Sequence, residues 1–202
     1  MSLFTKYSFP DTMRGNSFYP FTRMKGTNVY PSVILPIHRH LQHAEYTCGP
    51  ASIRIIVETL NGRETLPSEA EIAELCLTNE KTGTDPDMMI QTLKHLDVPY
   101  CVPKLPTLDT IEECIRQFKL CLVDYQSHDD GSADGHYSVI FGFDTTHFFI
   151  ADPYKKKGMR NKEWGFRSIR KDLFEKRWHA RHIDGVRAVH WMIAVPFMTH
   201  TA

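Results

Sequence analysis

Gln42-His43-Ala44-Glu45-Tyr46-Thr47-Cys48-Gly49-Pro50-Ala51-Ser52 is the stretch on which the reading of this chain turns. Beyond it, the apolar positions Ile53, Ile55, Ile56, Val57 and Leu60 leave Arg54 and Glu58 on a polar side, and Asn61-Gly62 supplies a stop. The spacing predicts a helix that begins at Cys48. At a helix N-terminus, unpaired N–H groups and the helix dipole favour negative charge, which lowers a thiol's pKa and makes it a nucleophile. Gly49 allows a close approach there, and Pro50 in the first turn gives up no needed donor. Gln42, six residues upstream, can turn its amide back and, with the Cys48 backbone N–H, donate to an oxyanion. One such donor is worth about 2.7–4 kcal/mol of transition-state stabilisation. The plainer alternatives are a buried spectator thiol and a surface glutamine.

Working outward, Ser68 with Glu71 forms a capping box ahead of Ile72, Leu75 and Leu77, and Asp85-Pro86 opens a helix through Met89, Leu93 and Leu96. A further helix over 108–118 presents Ile111, Ile115 and Phe118. The pattern then changes to short β-prone runs at 120–125, 137–143, 148–151 and 188–195, with Asp144-Thr145-Thr146 as a hairpin turn between the second and third. Residues 171–178 read as a short helix opened by Ser168 or Arg170. Helices first and an antiparallel sheet afterwards make the class α+β. No repeat or linker divides the chain, so residues 1–202 are expected to form one domain. Within it, 1–34 is an irregular arm anchored by Phe9, Phe18, Tyr19 and Phe21, 35–118 is mostly helical and 119–202 mostly sheet.

A thiol nucleophile needs a base brought from far along the chain. His136 opens the strand Tyr137-Ser138-Val139-Ile140 after the acidic, glycine-rich loop Asp129-Asp130-Gly131-Ser132-Ala133-Asp134-Gly135, and strand ends at loop mouths gather site residues. Asp152 ends the adjoining strand, where Pro153 stops it. If those strands pair, its carboxylate approaches the imidazole and fixes the tautomer. Asp152-Pro153 as a simple turn opener is the competing reading. His128 and His147 flank the same region as alternative bases. Asp144, set in a turn before Thr145, suits a structural Asx role.

The ordered set Gln42-x5-Cys48-Gly49-Pro50-Ala51-Ser52, Gly135-His136-Tyr137-Ser138-Val139-Ile140 and Phe149-Ile150-Ala151-Asp152-Pro153 resembles the bacteriocin-processing, double-glycine leader peptidase family of the papain-like clan. The resemblance spans about 35–153. It implies a papain-like cysteine peptidase fold whose helical N-terminal half carries the nucleophile and whose C-terminal sheet carries His and Asp. It also implies the roles: Cys48 as nucleophile, His136 as general base and acid, Asp152 as orienter of the imidazole, and Gln42 as oxyanion donor. Family members that cut leader peptides are usually the N-terminal part of an ABC transporter. This chain, without a membrane span or nucleotide-binding motif, is expected to be a stand-alone version, and leader specificity is not carried over. The 155–185 segment exceeds what a minimal sheet needs and is expected to shape the cleft.

The same constellation serves a peptidase, a glutamine deamidase or an acyl or peptidyl transferase, and a non-catalytic peptide-binding module is the alternative of another class. Twenty-four basic and 24 acidic residues balance, so no net field argues for nucleic acid. The run Lys155-Lys156-Lys157 reads as a solvated loop. No stretch reaches the ~20 apolar residues of a membrane helix, and residues 1–20 lack a secretory layout. A peptide or protein substrate is expected, without nucleic acid or membrane insertion, in the cytoplasm or after delivery by a signal-independent route. Five cysteines with no CxxC pair suit a reducing compartment; Cys76, Cys101, Cys114 and Cys121 read as core or spectator thiols. His38, His40 and His43 share one short segment with no matching Cys or carboxylate set, so neither a metal nor another cofactor is expected. His179, His182 and His190 read as solvated or packing residues, and Met88 and Met89 as core.

Overall fold

In chain order most of the helices come first and most of the sheet afterwards. In the computed structural model, β1 (Val33–Ile34) leads to α1 (Cys48–Asn61), α2 (Glu69–Leu75), α3 (Pro86–His95) and α4 (Leu108–Arg116). The strands β2 (Lys119–Tyr125), β3 (His136–Phe143), β4 (His147–Ala151) and β5 (Phe166–Arg170) follow. Then come α5 (Lys171–Arg177), β6 (His179–Arg181), β7 (Arg187–Val189) and β8 (Met192–Pro196). The structure describes residues 32–61, 66–126, 135–154, 165–181 and 187–197. The aromatic arm up to residue 31, Gly62, His128, Asp129 to Asp134, Lys155-Lys156-Lys157, His182 and most of 155–185 lie outside the described residues.

The main sheet is antiparallel in the order β5-β4-β3-β2-β8, and β1 pairs with β3 where β2 has ended. β3 is buried along its whole length, with β2 on one edge, β4 on the other and α1 across a face. β6 and β7 make a separate ribbon. At Gly142 an added Cβ would come within 2.7 Å of the Val33 carbonyl, so the close approach of β1 requires glycine there.

α1 is more deeply buried than its two-sided pattern predicts. Ile53, Ile55 and Ile56 are inaccessible, and even Glu58 is buried, held by Arg54 at 2.8 Å one turn away. Arg54 also donates to the Pro67 carbonyl, tying α1 to the approach to α2. The capping box of Ser68 and Glu71 forms as read, and Asp85 caps α3 ahead of Pro86. Three helices stop earlier than the apolar pattern implies. Leu77 and Phe118 turn to φ 50° and 57° and are exposed, and Leu96 caps α3. Left-handed exits of this kind end a helix without glycine and leave no apolar signature. The run at 188–195 is two strands, broken at His190 with φ 54°; α5 is opened by Arg170, while Ser168 lies in β5.

Candidate active site

Cys48 stands at the first residue of α1, buried with the rest of that turn. Gly49 explains how tightly the turn is seated: a Cβ there would lie 2.7 Å from Thr84 Oγ1 and 3.0 Å from Met89 Sδ. The glycine serves packing against the start of α3, where the sequence reading had it admit a close approach. His136 opens β3 opposite Tyr125 of β2, and Asp152 follows the last residue of β4, so the hairpin delivers both to one end of the sheet. Asp144 shapes the far end of that hairpin, its Oδ1 accepting from the backbone N–H groups of Thr146 and His147.

His136 Nε2 and Asp152 Oδ1 are 2.9 Å apart, which leaves Nδ1 for a second partner, and Cys48 is near enough to favour the charged ring. Tyr125 and Tyr154 each stand edge-on to the ring at 6.2 Å, holding its plane. Burial disfavours the imidazolium, but the Asp152 charge and hydrogen bond, aided by Cys48, outweigh it and carry the His136 pKa up to about 10. Asp152 is fully buried. Burial alone would raise its pKa, yet His136, Arg167 and the Tyr154 N–H, which donates to Oδ1 at 2.8 Å, hold it below the ordinary carboxylate value. Sequence reasoning missed Arg167. Its Nη1 lies 3.0 Å from Asp152 Oδ2, at ion-pair distance but without hydrogen-bond alignment. Arg167 sits on β5 opposite Ile150, and nothing in the one-dimensional pattern marks it.

Gln42 is anchored on the same side, its backbone N–H donating to the Pro153 carbonyl at 2.9 Å. Its Nε2 donates to the carbonyls of Ala44 at 2.7 Å and Glu45 at 3.0 Å, while Oε1 is buried without a hydrogen-bond partner among the described residues. Of the other candidates, His147 lies at the opposite end of the hairpin from His136. His190 stacks on Trp178 at 4.6 Å, and Met89 is buried whereas Met88 is only partly so. All five thiols are free; Cys101 is exposed, and Cys76, Cys114 and Cys121 are core.

The histidine cluster is completed by a carboxylate that the sequence reading did not connect to it. Glu69, at the start of α2, meets His40 Nε2 at 2.7 Å, lies 3.8 Å from His43 Nδ1 and accepts the His43 backbone N–H at 3.0 Å. It is buried, and its pKa is nonetheless lowered, because His40, His43 and Thr47 outweigh the cost of burial.

A helix-borne thiol, a strand-borne imidazole and a carboxylate behind it, in an α+β frame, define the class of papain-like cysteine peptidases. The chain belongs to the Peptidase_C39 like family, which it matches over residues 34–184. No curated protein matches it. Among solved structures it is similar to the peptidase domain of Streptococcus ComA, a bi-functional ABC transporter involved in quorum sensing (TM-score 0.54, 19% identity, 78% of this chain and 96% of that one). It is likewise similar to a double-glycine motif protease from an AMS/PCAT transporter in complex with its leader peptide (0.55, 14%, 81% and 94%). A third is a protein described as a C39-like peptidase from Bacillus anthracis (0.57, 12%, 82% and 97%). The protein is thus a cysteine peptidase. No helix among the described residues is long and apolar enough to cross a membrane.

Proposed function

We propose that the chain cleaves peptide bonds through a Cys48–His136–Asp152 triad. The observation that carries this is the buried His136 ring, held by Asp152 at 2.9 Å through Nε2, with Cys48 near enough to favour the charged ring. With the proton already held on the His136 ring, the Cys48 sulfur attacks the carbonyl carbon. The resulting oxyanion takes the Cys48 backbone N–H and one proton of the Gln42 amide. Nε2 has two protons and now serves adjacent carbonyls of one turn, so rotating the amide releases one for the oxyanion while the other keeps the turn. His136 then protonates the leaving amine, the C–N bond breaks to leave a thioester, and water attacking with His136 as base regenerates the thiol. Asp152 holds the ring's orientation and charge throughout, and Arg167 holds Asp152.

The test is to incubate the protein and its Cys48→Ala variant with a peptide library and read the products by mass spectrometry. New backbone termini made by the parent and absent with the variant support the reading. Cleavage retained by Cys48→Ala refutes the nucleophile. A one-dalton gain on glutamine, or an adduct to an amine, would instead reassign the same triad to deamidation or transfer.

A further inference from the structure

We propose that His40, His43 and Glu69 form a binding site for one divalent transition-metal ion of the zinc class, which clamps the segment leading to Cys48 onto α2. The three ligand atoms all lie within 4.8 Å of one another. Around a tetrahedral ion with bonds of about 2.0–2.2 Å, ligand atoms stand about 3.3–3.6 Å apart. The 2.7 Å His40–Glu69 contact must therefore open and the 3.8 Å His43–Glu69 separation close, each by less than about an ångström. The His43 side chain is 75% exposed and has room to make that turn.

An ion pair between His40 and Glu69 explains only part of this arrangement. It leaves unexplained the second imidazole on the same carboxylate oxygen, beyond hydrogen-bond reach. The other oxygen of Glu69 is fixed by the His43 backbone N–H at 3.0 Å. Outer contacts of this kind orient a ligating carboxylate. A cavity of about 610 Å³, lined in part by His43, Thr47 and Glu69, offers space for a fourth ligand. Two neutral imidazoles and one carboxylate leave a dication with net positive charge, so that position suits water, hydroxide or a carboxylate. Imidazole donors select zinc, copper or nickel over magnesium and calcium. His40 and His43 bracket Gln42, and Thr47 precedes Cys48, so a bound ion would stiffen the loop that presents both. The site stands on its own geometry and does not depend on the triad assignment.

Zinc chloride titrated calorimetrically into the Cys48→Ala protein, which removes the nearby thiol as a competing ligand, tests this. One-to-one saturable binding is expected, with a raised unfolding temperature in zinc. His43→Ala and His40→Ala should each weaken binding about tenfold or more. His43→Ala changes an exposed side chain, and its unfolding temperature without zinc shows whether the fold is kept. No saturable heat, or a titration that His43→Ala leaves unchanged, overturns the proposal.

Discussion

Asp152 is fully buried between a histidine and an arginine, and its charge decides how both behave. In Asp152→Asn the imidazolium loses its partner. Steady-state kinetics should show kcat/KM falling by about 10³–10⁴-fold while circular dichroism stays native, since removing the orienting carboxylate of a triad costs about that much. Arg167→Ala leaves Asp152 with one cation fewer and should lower stability by about 1–3 kcal/mol in urea unfolding. An unchanged midpoint would show that His136 alone neutralises the carboxylate. Thiol reactivity gives a third check. Cys48 should be the first carboxymethylated by dilute iodoacetamide at pH 6, and peptide mapping must separate it from Cys101, which is exposed, and from Cys114. The hydrogen bond from Cys121 brings the Cys114 thiol down to about 7, whereas burial lifts Cys76 to about 11. At this scale, the places of Cys48 at a helix start, His136 at a strand start and Asp152 just past a strand end were legible, because adjacent residues mark each boundary. Arg167 and Glu69 were not. Their partners are chosen by strand register and helix packing, and an arginine in a strand or a glutamate opening a helix is ordinary in one dimension.

Elements with chemical punctuation were readable, and those without it were not. Ser68 with Glu71 and Asp85-Pro86 mark their helix starts through hydrogen bonds that adjacent residues alone can make. β5 and β6 carry charged side chains and lack an apolar run, and become strands through their neighbours. The left-handed exits at Leu77 and Phe118 carry no glycine to mark them in the sequence. The start of α1 gives a prediction of its own scale. Gly49→Ala pushes against Thr84 and Met89 and should displace Cys48 from His136. Activity is expected to fall more steeply than the unfolding temperature. Ser68→Ala, by contrast, should cost about 1 kcal/mol of stability through the lost cap and leave kcat/KM intact.

For the molecule as a whole, the buried pair makes stability depend on pH in a set direction. The folded pKa of His136, about 10, lies above the ordinary 6.5, so its contribution is full below about 6.5 and is lost as pH rises through about 10. Asp152 is held below its ordinary 3.8, so its contribution is full once pH exceeds about 4 and is lost as pH falls through the lowered value. Thermal unfolding should therefore show a plateau between about pH 4 and 6.5 with a decline on either side, and Asp152→Asn should flatten both flanks, since the Asp152 charge is what raises the His136 pKa.

Val33 and Ile34 cover the last residues of β3, and Leu35 extends that cover by donating to the Phe141 carbonyl at 2.8 Å. A chain trimmed to begin after Leu35 would keep every side chain discussed as catalytic yet bare a strip of unpaired amides and carbonyls on the most central strand. Such a strip is a template for a second molecule, so the trimmed protein should self-associate and precipitate, visible as rising light scattering, before it loses its chemistry.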